Sequence, residues 1–263
     1  MQQAKAFLSS IKRAGEEICE SCGNVYPVYE TPRGILGACK PCEDRKLKES
    51  LNLPSKDELD SIKAKNFIER FTVVPEHLQH ATINSYQAIT PSQITLKEWV
   101  VDLIRNFEVR PSDSLVVSGK AGLGKSHVAY ATVKALKSRG YKVLYFEVSK
   151  LLDYFRKVYD NHAKYSKDDL YNMIEKLDLL VLDDIGSEYI KGNENGQETW
   201  ASEVLFNVLN LRQGKRKIVT TNYTERQLQQ KYGIHGERIT SRMFDHATSI
   251  RLEGQDYRKK GDA

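Results

Sequence analysis

The feature that most constrains the fold is a glycine-rich octapeptide at residues 119–126, with the sequence GKAGLGKS. It matches the phosphate-binding pattern G-x-x-x-x-G-K-[ST] at every fixed position. An apolar run at 114–118 precedes it and a helical pattern over 127–137 follows it, which is the context that the pattern requires. Such a loop directs backbone N–H groups toward phosphate at the amino end of a helix. We therefore expect a nucleoside triphosphate to bind here, through Gly119, Lys120, Ala121, Gly122, Leu123, Gly124, Lys125, Ser126 and the adjoining His127.

Within this loop Lys125 is expected to reach the β- and γ-phosphates, and the Ser126 hydroxyl to bind Mg²⁺. A second apolar run, 178–184, ends in two carboxylates, as a central parallel strand beside such a loop commonly does. We predict that Asp183 holds the magnesium shell. Asp184 is expected to polarise or orient the attacking water.

A third apolar run, 217–222, ends in the polar triplet Thr-Thr-Asn. Asn222 is a candidate to hydrogen-bond the attacking water or the γ-phosphate at the same edge of the sheet. The alternative is that it merely begins the turn into the next helix, where Asn and Thr are common.

The order of apolar runs predicts an α/β fold. Strands are expected at about 114–118, 142–148, 178–183, 217–221 and 247–252, with helices between them. This alternation predicts a parallel sheet covered by helices on both faces. Further helices are predicted over 1–17, 55–71 (from a capping-box pattern), 92–107 and, as a pair, 149–177.

The four cysteines of the chain form two C-x-x-C pairs separated by 16 residues. This spacing is typical of a zinc-ribbon site, with Cys19, Cys22, Cys39 and Cys42 as ligands. Two disulfides are the alternative, but nothing in the sequence indicates an oxidising compartment. Four thiolates close a tetrahedral shell, so the predicted Zn²⁺ is structural, and its binding would supply the folding free energy of a small module.

Length and composition limit the number of domains and the class of protein that these motifs can belong to. The 263 residues, 40% of them hydrophobic, can form one α/β domain and a small module, for which we predict the ranges 1–75 and 76–263. No run approaches the ~18 apolar residues of a membrane span, and the amino terminus lacks a signal-peptide core. We therefore expect a cytoplasmic protein without a membrane partner.

Charge patterns bear on the partners. Residues 1–75 hold 12 Lys and Arg against 11 Asp and Glu, a balance that favours a protein-binding module over one that grips nucleic acid. Aromatic and basic residues alternate over 145–171, which suits stacking on single-stranded DNA, although core packing explains the same rings. The basic run at 212–217 is expected to be a solvated surface.

Near the carboxyl end, Arg238 and Arg242 are four residues apart and therefore share one helix face. They have an ordinary explanation as surface residues. In ring-forming ATPases, however, an arginine at this place points into the neighbouring subunit's nucleotide and stabilises transition-state charge.

Together these segments resemble those of a known family. The loop GKAGLGKS, the strand LLVLDDIG, the triplet TTN, and the segments GERITSRMF and RLEGQDYR are similar to those of the AAA+ helicase loaders of bacteria and phages, the DnaC/DnaI group. Residues 82–86, TINSY, resemble the segment that precedes the ATPase core in this group. The resemblance covers about residues 75–260, and the four-cysteine module is similar to the zinc-containing, helicase-binding domain of the DnaI branch.

The resemblance implies a P-loop AAA+ core with a five-stranded parallel sheet between helices, preceded by a small zinc-ribbon-like and helical domain. It implies that residues 1–75 dock on a hexameric replicative helicase. It also implies that the core binds ATP, Mg²⁺ and single-stranded DNA and self-assembles with ATP during replication initiation. By motif position Arg242 would be the arginine finger, and Arg238 a second nucleotide-sensing or neighbour-sensing arginine.

Two departures from the wider AAA+ pattern carry expectations. Asp184 stands where a glutamate is usual, and its shorter side chain predicts slow hydrolysis, stimulated by DNA or by assembly. About 11 residues follow the last predicted strand, so no helical carboxyl-terminal lid is expected. Two alternatives stay open, an ATPase of the IstB type that assists transposition, and a zinc adaptor with a nucleotide site that does not hydrolyse.

Overall fold

The computed structural model describes residues 11–32, 34–51, 55–72, 74–110, 112–159, 166–188 and 200–257. The chain divides into two compact units, Met1–Ser61 and Ile62–Ala263. This division lies upstream of the functional boundary that we predict at residue 75. Among the described residues no helix is both long and apolar enough to cross a bilayer.

The smaller unit contains an antiparallel sheet in the order β1-β2-β3, followed by a helix. Its elements are β1 (Lys12–Ile18), β2 (Val25–Thr31), β3 (Gly34–Gly37) and α1 (Lys40–Ser50). The helix predicted over 1–17 is therefore wrong for residues 12–17, and residues 1–10 lie outside the described part of the chain. The helix preference of this short polar segment is weak, since it contains Gly15. Pairing with β2 along β1 overrides that preference.

Helix α2 (Lys56–Phe71) begins with the predicted capping box. The Glu58 N–H donates to the Ser55 hydroxyl at 3.2 Å, and the Ser55 N–H donates to the Glu58 carboxylate at 2.7 Å. The two groups satisfy backbone donors that a helix start leaves free. At the other end of the helix, Phe67, Ile68 and Phe71 are buried in the core of the larger unit.

The larger unit is built on a parallel sheet in the order β5-β6-β7-β4-β8. Its strands are β4 (Ser114–Gly119), β5 (Val143–Glu147), β6 (Leu179–Ile185), β7 (Lys217–Thr221) and β8 (Ala247–Leu252). The helices are α3 (Pro91–Arg105), α4 (Lys125–Lys137), α5 (Val148–Tyr159), α6 (Lys167–Glu175), α7 (Trp200–Leu211), α8 (Glu225–Tyr232) and α9 (Gly236–Phe244). All five predicted strands are confirmed to within two residues.

Helices cover both faces of this sheet because successive strand residues point to opposite sides. In β6, Leu180 and Leu182 belong to one buried cluster, and Leu179 and Val181 belong to the other. The first cluster is completed by residues of α5 to α9, and the second by residues of α3 and α4. The predicted α/β architecture is thereby confirmed.

Core packing accounts for the aromatic residues over 145–171. Tyr145 is buried in one core cluster and Phe146 and Phe155 in the other, against which Tyr154 and Tyr171 pack. The Tyr159 side chain and Tyr165 lie outside what the structure describes. Core packing therefore accounts for the described rings, two of which are half-buried, and binding of single-stranded DNA stays a prediction.

Two cations of the basic run at 212–217 are not on the solvated surface that we predicted. Arg212 is fully buried, and its guanidinium donates to the carbonyls of Ile174 and Leu177 at the end of α6, at 3.2 and 2.8 Å. Lys217 is 1% exposed, and its ammonium donates to the carbonyl of Asp245 at 3.0 Å. Both cations are tolerated in the interior because backbone carbonyl groups accept their hydrogen bonds.

Candidate nucleotide-binding site

The site forms at the carboxyl edge of the sheet. Strands β4, β7 and β6 are neighbours in that order, so the segments that follow their carboxyl ends meet. The glycine-rich loop follows β4, Asn222 follows β7, and Asp183 and Asp184 lie near the end of β6. The sheet order therefore brings together the three segments that the sequence singled out, as is usual for ligand sites in parallel sheets.

The loop joins β4 to α4 through Gly124, which has a φ of 83° at the position just before the helix. A Cβ atom there would lie 2.6 Å from Cε2 of Tyr86, so a side chain is excluded by contact as well as by conformation. The close approach places the Tyr86 ring directly against the start of the loop's helix.

The Lys125 side chain is 6% exposed and is held by three oxygen acceptors. Its ammonium donates to the carbonyls of Gly119 and Lys120, each at 2.8 Å, and to Oδ1 of Asn222 at 2.7 Å. A positive charge is thus fixed inside the loop, where a phosphate group would meet it.

A β-bulge determines the backbone conformation at the two aspartates. Leu182 and Ile185 of β6 pair with positions two apart on β7, so Asp183 and Asp184 together oppose Thr220. Asp184 has a φ of 60°, a left-handed conformation that Asp adopts more readily than most residues. Bulges commonly redirect a side chain beside a functional site.

The two carboxylates consequently have different surroundings. Asp183 is 4% exposed and accepts hydrogen bonds from Tyr145 Oη at 2.6 Å and Thr220 Oγ1 at 2.5 Å. Asp184 accepts from Nδ2 of Asn222 at 2.7 Å. Burial raises the pKa of Asp184, with the nearby Asp183 carboxylate adding to the effect and Lys125 opposing it. A base with a raised pKa beside a fixed cation suits the activation of water.

A cavity of about 390 Å³ occupies this edge of the sheet. Eight of the predicted site residues line it, namely Ala121, Gly122, Gly124, Lys125, Ser126, His127, Asp184 and Asn222. The backbone donors of the loop, one ammonium, a hydroxyl and a carboxylate form a donor set that fits a triphosphate with Mg²⁺.

Other predicted residues are not among the described residues that line the cavity, namely Gly119, Lys120, Leu123, Asp183, Arg238 and Arg242. Two of them act through their backbone, since the carbonyls of Gly119 and Lys120 hold Lys125. Leu123 is buried in the core. The magnesium role of Asp183 stays a prediction.

Sequence reasoning missed part of the cavity wall. The missed residues are His77, Leu78, Ser85, Tyr86, Gln87 and Tyr257. Two of the segments concerned, TINSY at 82–86 and RLEGQDYR at 251–258, were noticed only as marks of family resemblance. They enter the site because β8 lies beside β4, and α3 contacts both β8 and the helix that follows the loop.

The two candidate arginines lie on α9, as predicted, and both contact α7. The Arg238 guanidinium lies 4.1 Å from the ring centroid of Phe206. Nε of Arg242 donates to Oδ1 of Asn210 at 3.0 Å. Their action on a neighbouring subunit's nucleotide stays a prediction.

The four cysteines of the smaller unit form a cluster whose sulfur atoms all lie within 4.8 Å of one another. The Sγ–Sγ distances are 3.7 Å for Cys19 and Cys42 and 3.4 Å for Cys22 and Cys39. A tetrahedral zinc with bonds of about 2.3 Å requires separations of about 3.8 Å. A backbone hydrogen bond at Ser21 lowers the pKa of Cys19 to about 7, whereas hydrogen bonds with Cys22 and Cys19 raise the pKa of Cys42 to about 12. The cluster fits the predicted zinc module.

Known proteins match this chain closely enough to assign it. Residues 57–263 match the family described as IstB-like ATP binding protein. The replicative helicase loader DnaC of Escherichia coli (strain K12) is 26% identical over 183 residues, which cover 70% of each chain. The replicative helicase loader DnaI of Bacillus subtilis (strain 168) is 23% identical over 252 residues, covering 91% of this chain and 76% of DnaI.

The fold agrees with these sequence matches. A crystal structure of the DnaC helicase loader superimposes with a TM-score of 0.57 and 22% identity, over 68% of this chain and 100% of that one. The predicted resemblance to helicase loaders and the predicted AAA+ core are confirmed. Because the family match spans more than half of the chain and contains the whole cavity lining, this chain belongs to the family of IstB-like ATP binding proteins.

Proposed function

We propose that this protein is an ATP-dependent loader of a hexameric replicative DNA helicase. The observation that carries the proposal is the likeness to DnaI, which takes in 91% of the chain and so extends beyond the ATPase core into the cysteine-bearing unit. The family model covers residues 57–263, which contain the ATP-binding core, and in this proposal the four-cysteine module recognises the helicase.

The two units have separate tasks in this proposal. The smaller unit, held by Zn²⁺, docks on the helicase within residues 1–75. The larger unit binds Mg²⁺ and ATP, and the bound nucleotide controls self-assembly and contact with single-stranded DNA during replication initiation.

The site supports a slow ATPase. Lys125 neutralises the β- and γ-phosphates, while Ser126 and Asp183 would complete the Mg²⁺ shell, which offsets charge on the transferred group. Asp184, which accepts a hydrogen bond from Asn222, would orient the attacking water. Arg242 would stabilise the transition state in the adjacent subunit, with Arg238 sensing the same neighbour.

Nucleotide-dependent capture of the helicase tests the proposal. Purified protein would be mixed with a hexameric replicative helicase with and without ATP, and the complex measured by analytical ultracentrifugation. We expect a complex with wild type, loss of ATP-dependent assembly with Lys125→Ala, and wild-type behaviour with Lys137→Ala, an exposed lysine at the far end of the same helix.

Two other functions predict different results in this experiment. An ATPase that assists transposition, which the name of the family favours, would bind ATP and DNA but leave the helicase unbound. A zinc adaptor with an inert nucleotide site would bind a partner equally well with and without ATP. It would also be unaffected by Lys125→Ala.

A further inference from the structure

A buried carboxylate lies just beyond the strand that carries Asp183 and Asp184, and no sequence motif gives it a role. This residue, Glu188, is 4% exposed. Its Oε2 accepts the N–H of Gly186 at 2.9 Å, and its Oε1 accepts the hydroxyl of Tyr232. A charged group is stable in a protein interior only where hydrogen bonds compensate for the lost water, so both donors help to keep Glu188 in place.

Tyr232 belongs to a different element, since it is the last residue of α8. Burial raises the pKa of its hydroxyl, and the nearby Glu188 carboxylate adds to the effect. The hydroxyl therefore stays protonated and donates to Glu188. The Glu188–Tyr232 hydrogen bond thus connects the segment that follows β6 to the helix that follows Asn222.

The segment 184–188, which we call the β6 turn, has a backbone conformation that its surroundings must maintain. Asp184 and Gly186 have φ angles of 60° and 98°, both in the left-handed region. Such a conformation persists at a residue other than glycine only where neighbouring groups fix it. A Cβ atom at Gly186 would lie 2.6 Å from Cδ2 of Tyr223 and 2.9 Å from Cδ2 of Leu228, so the β6 turn is packed tightly against the start of α8.

Other hydrogen bonds hold the β6 turn to itself and to β7. The Asp184 carbonyl accepts from the N–H and the hydroxyl of Ser187, at 3.2 and 2.8 Å. The Ile185 carbonyl accepts from Thr221 Oγ1 at 2.6 Å. Glu188 adds the connection to α8. The orientation of the Asp184 carboxylate therefore depends on a backbone that Glu188 secures from its far end.

A connection to α8 can position the β6 turn only if α8 is itself held firmly. At its start, Gln227 Oε1 accepts the Thr224 N–H at 2.8 Å, and Thr224 Oγ1 accepts the Gln227 N–H at 3.4 Å. Further along, Nε2 of Gln229 donates to Oγ1 of Thr240 on α9 at 3.2 Å. The helix is thus capped at one end and bonded to α9, which makes it a fixed support for the turn.

We propose that Glu188 is a positioning residue for ATP hydrolysis, which fixes the β6 turn on α8 and so holds the Asp184 carboxylate beside Asn222. Asp184 begins the turn and Asn222 lies shortly before α8, so a link between the turn and α8 maintains the 2.7 Å hydrogen bond between these two side chains. Glu188 is not among the described residues that line the cavity, so it acts through Asp184. The inference rests on the proposed ATPase activity.

The test removes each half of the buried pair. Tyr232→Phe loses the hydroxyl but keeps the ring, so the fold should be kept. Glu188→Ala loses both hydrogen bonds, whereas Glu188→Gln is the conservative variant, because its amide can accept from the Gly186 N–H and donate to the Tyr232 oxygen. The matched control is Tyr141→Phe, which removes a 2.9 Å hydrogen bond to Glu108 away from the described lining of the cavity.

Four measurements would be made on each protein: kcat and KM for Mg·ATP from phosphate release, equilibrium binding of Mg·ATP, thermal unfolding, and hydrogen exchange at the Gly186 amide. We expect Tyr232→Phe and Glu188→Ala to lower kcat by between about tenfold and a hundredfold, as a small misplacement of a reacting group does. Mg·ATP affinity should stay within about twofold of wild type, because the buried pair does not include the phosphate loop. Glu188→Gln and Tyr141→Phe should keep most of the wild-type kcat.

The double variant and the exchange rate test the link itself. Glu188→Ala combined with Tyr232→Phe should turn over no more slowly than Glu188→Ala alone, because the two groups act through one hydrogen bond. The Gly186 amide should exchange about tenfold or more faster in Glu188→Ala, since it loses its charged acceptor.

Several results would overturn the inference. Lower melting temperatures with an unchanged kcat would give the pair a purely structural role, and equal losses of kcat and Mg·ATP affinity would mean a general disturbance of the site. Additive losses in the double variant, or unchanged exchange at Gly186 in Glu188→Ala, would show that no such link operates. Failure of the proposed ATPase looks different, because wild type would then release no phosphate while Gly186 exchange still differed between wild type and Glu188→Ala.

Discussion

The ammonium of Lys125 donates a 2.7 Å hydrogen bond to Oδ1 of Asn222, which lies 97 residues further along the chain. The same amide donates through Nδ2 to Asp184 at 2.7 Å. One side chain thus links the cation that would hold the phosphates to the carboxylate that would orient the water.

Asn222→Ala should therefore lower ATP turnover by about a hundredfold while ATP binding stays within a few fold of wild type. The amide positions groups that matter most in the transition state, and losing one such donor has effects of this size. Steady-state phosphate release and equilibrium titration of ATP would separate the two effects. Asn172→Ala, an exposed amide on α6, is the matched control, and an equal loss of binding would instead give Asn222 a ground-state role.

Asp184 allows a pair of substitutions with opposite consequences. Asp184→Asn keeps the left-handed backbone conformation, since Asn tolerates a φ of 60°, but removes the base; turnover should drop by about a hundredfold or more with stability preserved. Asp184→Glu offers the longer carboxylate of other AAA+ proteins but tolerates this conformation less well. Its melting temperature should fall below that of Asp184→Asn, and equal melting temperatures would show that the bulge imposes no such constraint.

Arg242 should act between subunits. Arg242→Ala is expected to bind ATP normally and to lose about a thousandfold in turnover, because an arginine supplied by a neighbour offsets transition-state charge. Mixing Arg242→Ala with Lys125→Ala should restore part of the activity, since mixed assemblies contain intact composite sites. If mixing restores none, Arg242 works within its own subunit, where it contacts Asn210.

Metal removal should affect the two units differently. Cys39→Ser, or treatment with a strong chelator, should unfold residues 11–51 while the larger unit keeps its melting transition and its ATP affinity. A module this small depends on its metal for folding free energy. Elemental analysis should find one zinc per chain, and hydrogen exchange would locate the unfolding. A smaller unit that stays protected without metal would contradict the assignment.

Lys217 predicts a pH-dependent stability. Burial lowers its pKa from the ordinary value of 10.5 to about 8. Between these values the unfolded chain binds a proton that the folded chain does not, so the folded state gains stability as pH rises from 8 to 10.5. Below pH 8 both states are protonated, and the cost of burying the charge is fully present.

Relative to Lys217→Met, the free energy of unfolding of wild type should therefore rise from pH 8 to 10.5, by at most about 1.4 kcal/mol per pH unit. Denaturant titrations at several pH values would measure it. The test is how the difference in unfolding free energy between the two proteins changes with pH. The size of that difference at a single pH is not used, because the substitution also removes the hydrogen bond to the Asp245 carbonyl. Parallel curves for the two proteins would mean that Lys217 keeps an ordinary pKa.

The local signals of this sequence were strong enough to predict the α/β core. Four of the five strands of the large sheet, all except β8, contain short apolar runs, and Gly124, Lys125 and Ser126 follow one such strand in a pattern with a single physical use. The two C-x-x-C pairs are equally local. Patterns of this kind depend on neighbours within a few residues, so they can be recognised before the fold is known.

Contacts between distant segments decided the rest. The bulge that turns Asp184 toward the cavity arises from pairing with β7, and Tyr257 faces the loop only because β8 lies beside β4. Arg212 and Lys217 belong to a charged run whose sequence predicts exposure. Both are buried, and they donate hydrogen bonds to backbone carbonyl groups from distant parts of the chain. The sequence by itself determined which chemistry the chain carries. The tertiary structure decided which side chains lie together in the site, because packing and strand register fix distances that no local pattern contains.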